Sequence, residues 1–258
     1  CTTGRAVDSL DIRVGAAVEA GFAPDGTSVF TVPANGRPRV WSVANGRIKD
    51  VVSGLGPVEY MTFAPNGRAF VVISNGKARL VGTESGKEVA AVPTTGRTAA
   101  ASFDNSLLAT GGRRTVLWYV AREKAIRSLR TRGTALAAAA FSPDGRLLAT
   151  ADATGSVEVW DVRTTAPVFR ARVNGSVRGL QFSPDGVLLA TAGGDGGLRL
   201  WAPTVSEHEL QTFHSDGAGL NDVDFSSDGE RVVSGADNGV AYVWSTTRAR
   251  VVACTNAV

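Results

Sequence analysis

The sequence predicts an all-β protein made by repeating one antiparallel meander six times, and three observations carry that reading. Residues 182–201, FSPDGVLLATAGGDGGLRLW, read as a strand end, a tight turn, a strand, a second tight turn and a third strand. The same pattern recurs at Phe22, Phe63, Phe103, Phe141, Phe182 and Phe225, spaced 41, 40, 38, 41 and 43 residues apart. All five tryptophans fall at the end of the third strand, at Trp41, Trp118, Trp160, Trp201 and Trp244, and the second repeat has Val81 there.

Each element has a local cause. Asp185-Gly186 and Asp195-Gly196 are turn dipeptides, because Gly tolerates positive φ and Asp bonds its own backbone. Between them, residues 188–192 form a short apolar run; beyond them, Leu198 and Leu200 alternate with Gly197, Arg199 and Trp201 at the strand period of two. The turn after the Phe reads Pro-Asp-Gly at Pro24, Pro143 and Pro184, Pro-Asn-Gly at Pro65 and Ser-Asp-Gly at Ser227. Asp104-Asn105 is its degenerate form, and only 15 residues separate Phe103 from Trp118 where most repeats span 19. Longer connections follow Trp201, at 202–209, and surround His214 to Gly219. Such loops are where function concentrates.

A period near 40 with Phe-Ser-Pro-Asp-Gly, a Gly-containing turn and a terminal Trp resembles the WD-repeat family. The resemblance implies a β-propeller of four-stranded antiparallel blades, at about 15–53, 54–94, 95–132, 133–173, 174–216 and 217–256 within one domain spanning 1–258. Residues 1–14 align with the outer strand that follows each Trp elsewhere, an orphan N-terminal strand pointing to a seven-bladed ring. The alternative is six closed blades with a surplus strand. Trp-Asp survives only at Trp160-Asp161, and the Gly-His pair before the inner strand is missing, with His214 the nearest remnant. The blades are therefore expected to depend on apolar packing more than on the family's Asp-His-Ser-Trp hydrogen-bond network.

Composition bounds the function. Lys and Arg total 27 against 24 Asp and Glu, and a net charge of +3 over 258 residues is no nucleic-acid signature by itself. No apolar run approaches a membrane helix. His208 and His214 are the only histidines, and Glu207, Glu209, Asp216 and Asp222 join them in no metal-ligand spacing. There is no Gly-x-Ser-x-Gly elbow to anchor a nucleophile. The glycines at 193–197 sit in a strand-to-strand turn without the helix N-terminus that a phosphate cradle needs. No catalytic residue, cofactor or metal is assigned. Cys1 and Cys254 stand at opposite ends; a disulfide clasp is conceivable, as is a lipid-bearing Cys1 if a signal segment precedes it. Cytoplasmic placement is favoured otherwise.

In the family, partners dock on the narrower face, through residues six and four before the Phe and one in the second hairpin. By position these are Ala16, Pro57, Arg97, Ala135, Ser176 and Gly219; then Val18, Glu59, Ala99, Ala137, Arg178 and Asn221; and Asp237 in the hairpin. Only Glu59, Arg97, Arg178, Asn221 and Asp237 offer specific polar contacts. A second candidate is a basic rim patch of Arg113, Arg114, Arg122, Lys124, Arg127, Arg130 and Arg132 in the third repeat. The expectation is a non-catalytic protein-interaction scaffold, monomeric, one domain of a larger regulatory or signalling chain, with nucleic acid disfavoured. The competing readings are an enzyme or small-ligand propeller, which would want converging carboxylates or histidines, and a secreted or lipid-anchored binding protein.

Overall fold

The computed structural model describes residues 17–33, 37–49, 54–112, 114–129, 135–206, 208–246 and 251–254, which form six four-stranded antiparallel sheets, the blades of a β-propeller. Blade one holds β1 (Ala17–Phe22), β2 (Ser28–Pro33), β3 (Arg39–Ser42) and β4 (Ile48–Lys49). Blade two holds β5 (Val58–Phe63), β6 (Ala69–Ser74), β7 (Lys77–Gly82) and β8 (Glu88–Pro93), and blade three β9 (Ala99–Ala101), β10 (Leu107–Thr110), β11 (Thr115–Tyr119) and β12 (Lys124–Leu129). Blade four follows with β13 (Leu136–Phe141), β14 (Leu147–Asp152), β15 (Ser156–Asp161) and β16 (Pro167–Arg172). Blade five comprises β17 (Val177–Phe182), β18 (Leu189–Gly193), β19 (Gly197–Trp201) and β20 (Glu209–His214). Blade six comprises β21 (Asp224–Phe225), β22 (Arg231–Gly235), β23 (Ala241–Ser245) and β24 (Val251–Cys254). Blade six thus takes its outer strand from its own repeat. Residues 1–14, read as an orphan strand, lie outside the described residues.

The turn between the first two strands of a blade is locked by its own side chains. In blade five the Leu188 N–H donates to Ser183 Oγ at 2.9 Å and the Val187 N–H to Asp185 Oδ1 at 3.0 Å, while Ser183 Oγ–H donates to Asp185. The same bonds recur at Ser142 and Asp144, at Ser226 and Asp228, and at Ser102 and Asp104. The last set corrects the register of the third repeat. Ser102 occupies the place of Ser142 and Ser183, so Ala101, not Phe103, stands where the other repeats have Phe. Ala101 is buried, whereas Phe103 sits in the turn, 53% exposed, at the place of Pro143 and Pro184. Counted from Ala101 the spacings become 41, 38, 40, 41 and 43, so the short interval precedes the third repeat rather than following it.

Packing follows two compact units, one of the first three blades up to Leu129 and one of blades four to six. Within each, the middle strands of adjacent blades interleave apolar side chains. In the second unit Phe182 packs among Val157, Val159 and Phe169 of the preceding blade, and Phe169 meets the Trp201 ring edge-on at 5.6 Å. In the first, Phe63 stands between Phe30 and Phe70, with ring centroids 5.7 and 4.5 Å away.

The blades also keep a hydrogen bond that the weak repeat motif left unexpected. Indole N–H groups donate to threonine hydroxyls on the neighbouring strand: Trp41 to Thr31 (2.9 Å), Trp118 to Thr110 (2.9 Å), Trp160 to Thr150 (3.0 Å) and Trp201 to Thr191 (3.1 Å). The expected weighting toward apolar packing thus holds beside a retained Trp–Thr bond in four of the six blades. In blade two both partners are gone together, Val72 standing for the Thr and Val81 for the Trp in one apolar cluster. That is the coherent alternative, since a buried hydroxyl or indole N–H without its partner is costly. Blade six is mixed: Ser234 turns its hydroxyl to Asp222 O, and the fully buried Trp244 Nε1 has no partner.

Candidate functional site

Inner strands carry a recurrent irregularity at the positions singled out from the sequence. Register shifts between Ala17 and Glu19, Val58 and Tyr60, Leu136 and Ala138, and Val177 and Gly179 leave Val18, Glu59, Ala137 and Arg178 as the extra residues of β-bulges. A bulge interrupts the ladder and re-aims its side chain, and bulges concentrate beside functional sites. With the third repeat counted from Ala101, Arg97 falls on this same position, four residues ahead of the Phe equivalent, together with Asn221 in blade six.

The five polar candidates form two groups, each joining one blade to the next. In the first unit, Arg97 Nε lies 3.5 Å from Glu59 Oε2. In the second, Arg178 Nη1 donates to Asn221 Oδ1 at 2.7 Å and to both Asp237 oxygens at 3.0 and 2.9 Å. These hydrogen bonds and the Arg178 charge hold the Asp237 carboxyl below the usual range. Asn221 and Asp237 are placed by backbone bonds, Asn221 N–H to Gly235 O at 2.8 Å and Asp237 N–H to Gly219 O at 2.9 Å.

Two glycines complete the second group: Gly219, which position alone had put on the docking face, and Gly194, read from sequence only as part of a turn. A Cβ at Gly219 would lie 2.6 Å from Asp237 Oδ2 and 3.1 Å from Arg178 Nη1, and one at Gly194 would lie 2.7 Å from Ser176 Oγ and 3.3 Å from Arg178 Nε. Their missing side chains give the guanidinium its bed. The available signal was excess: five residues with four glycines at 193–197 exceed what a hairpin turn needs. That turn is filled by Asp195, whose carboxylate accepts from the Gly197 N–H and pairs with Arg199 at 2.6 Å.

Asp222, weighed from sequence only beside the histidines, forms a further pair with Asp224, which the sequence reading did not single out. Desolvation pushes both carboxyls above the usual range, and at Asp222 the Asp224 charge adds to the rise. Asp224 accepts from Gln181 Nε2 at 3.4 Å. His208 is exposed on the connection before β20 and His214 is exposed at the end of β20. Among the described residues no group of three His, Cys, Asp or Glu is arranged to hold a metal ion, and no helix is long and apolar enough to cross a membrane.

The basic candidates lie on the rim of blade three. Arg114 precedes β11, Arg122 ends a 3₁₀ turn (Val120–Arg122), and Lys124 and Arg127 lie on β12, all four exposed. Arg113, Arg130 and Arg132, and Cys1 with the side chain of Cys254, lie outside the described residues. So do Ala16 and the side chain of Val18.

Against known families, the model for the WD domain, G-beta repeat, matches residues 124–161, 166–202 and 207–245. Each match begins at an outer strand and runs to the tryptophan strand of the following blade, so three matches trace β12 through β23 without a break in register. The chain is a WD-repeat β-propeller protein. Propellers of this family generally serve as protein-interaction scaffolds and are typically non-catalytic. No curated protein matches the chain.

Proposed function

We infer that this WD-repeat protein is a non-catalytic scaffold that holds a protein partner on the inner-strand bulges, one domain of a larger regulatory assembly. The observation that carries this reading is the Arg178, Asn221 and Asp237 group. Three polar side chains from two blades converge on a bulge, with two glycines kept bare for them. Stability does not account for the arrangement. Arg178 and Asp237 are 38% and 51% exposed, and Arg97 and Glu59 84% and 40%, so solvent screens each pair and neither contributes much to stability. Exposed pairs of this strength rearrange cheaply when a partner offers better ones, and arginine is favoured at interface hot spots.

The test is affinity capture followed by titration of each purified captured protein against wild type, Arg178→Glu and Glu59→Arg. A partner whose Kd rises at least about tenfold in either variant, with unchanged melting, supports the reading. Partners that bind all three proteins alike place the contact elsewhere and defeat it.

A further inference from the structure

The rim of blade three is electrostatically unlike the rest of the chain. Within residues 113–132 seven arginines or lysines face one acid, Glu123, a local net charge of +6 in a chain whose total is +3. The remainder of the sequence therefore carries −3. Cross-strand ion pairs join the third and fourth strands in blade two (Arg79 to Glu88, 2.9 Å), blade four (Glu158 to Arg170, 3.1 Å) and blade five (Arg199 to Glu209, 3.5 Å). In blade three the corresponding third-strand position is Val116, and β11 contains no acidic residue. The single acid is engaged elsewhere, Glu123 accepting the Ala91 N–H of β8 at 3.1 Å.

We propose that this rim is a second docking surface, for an extended acidic segment of a protein partner. Charge complementarity names the occupant: a run of Asp or Glu would meet Lys124 and Arg127 on the outer strand, with Arg114 and Arg122 on the connections before and after β11. Recognition runs through side chains and not through strand addition, because a bulge between Arg127 and Ala125 interrupts the β12 ladder, and bulges blunt sheet edges. A polypeptide fits better than a nucleic acid: Tyr119, in register with Lys124, is the one exposed aromatic of the patch, and base-stacking surfaces use several. The surface is separate from the inner-strand site, so the two proposals fail independently.

The experiment is fluorescence anisotropy on the whole chain with three labelled probes: a short Glu/Asp-rich peptide, its Gln/Asn counterpart and oligothymidylate. The acidic peptide should bind and the neutral one should not. Raising salt from about 50 to about 300 mM should weaken binding, as screening demands. Reversal of two exposed charges, Arg122→Glu with Lys124→Glu, should weaken it at least about tenfold; Arg178→Glu should leave it unchanged. A second reversal, Arg114→Glu with Arg127→Glu, repeats the test if the first variant folds poorly. Equal binding of the neutral peptide, indifference to both reversals, or tighter binding of the oligonucleotide would each overturn the proposal.

Discussion

Thr191→Val is the most informative single change, because it removes one hydroxyl and keeps the side-chain volume. Thr191 is 1% and Trp201 5% exposed, so nothing replaces the lost acceptor for the indole N–H. An unsatisfied buried donor costs about 1–3 kcal/mol. For a folded unit of this size each kcal/mol moves Tm by about 2–4 °C, which makes the loss measurable by circular dichroism during heating or in urea. Trp201→Phe removes the donor with its ring volume, and the double variant closes the cycle. The coupling should be about 1 kcal/mol or more in favour of the native pair. Blade six supplies the control: Trp244 Nε1 has no partner, so Trp244→Phe should cost less than Trp201→Phe by about the worth of the hydrogen bond. If Thr191→Val melts like wild type and the coupling is zero, the tryptophans act by packing alone and the reasoning fails.

Other expectations follow from individual positions. Phe103→Ala should change stability by no more than about 0.5 kcal/mol, because the ring lies in a turn, while Phe182→Ala should cost about 3–5 kcal/mol; equal costs would restore the register read from phenylalanines. Gly179→Ala brings a Cβ to 2.6 Å from Asp222 Cα, a backbone that cannot step aside, and should cost about 1–3 kcal/mol in urea unfolding. For pH, hydrogen bonds from Ser102 to Asp104 and from Ser183 to Asp185 lower these carboxyls below their unfolded value near 3.8. Their contribution is complete above the unfolded value and is lost as pH falls through the folded one, so Asp185→Asn should flatten the acid limb of a Tm-against-pH curve. Asp222 has the opposite sign: its folded carboxyl is raised, so its charge costs stability above that value, and Asp222→Asn should raise Tm at neutral pH.

Much of the architecture was legible because it is local. An Asp-Gly turn closes with bonds to its own backbone, and a Phe, a turn, an apolar run and a Trp at fixed spacing write out a meander wherever they stand. The third repeat shows the limit. Phe103 matched by type while Ala101 matched by position, and only the Ser102 and Asp104 bonds reveal which governs. At the candidate site, position predicted Glu59, Arg97, Arg178, Asn221 and Asp237, but which of them would meet was invisible. That depends on bulges in four inner strands and on the approach of neighbouring blades.

The sequence by itself determined the repeat, the turns, the strand period and the run of basic residues in the third repeat, all properties of residues near one another along the chain. Tertiary structure alone decided that Trp201 finds Thr191 while Trp244 finds nothing, that Val72 and Val81 stand together for a lost pair, and that Arg178 reaches across to Asp237 over Gly194 and Gly219. These contacts join residues 9 to 59 positions apart, and a hydrogen bond forms only when donor and acceptor come within about 3 Å in the right direction. No pattern along the chain encodes that distance until the strands have paired and the blades have packed.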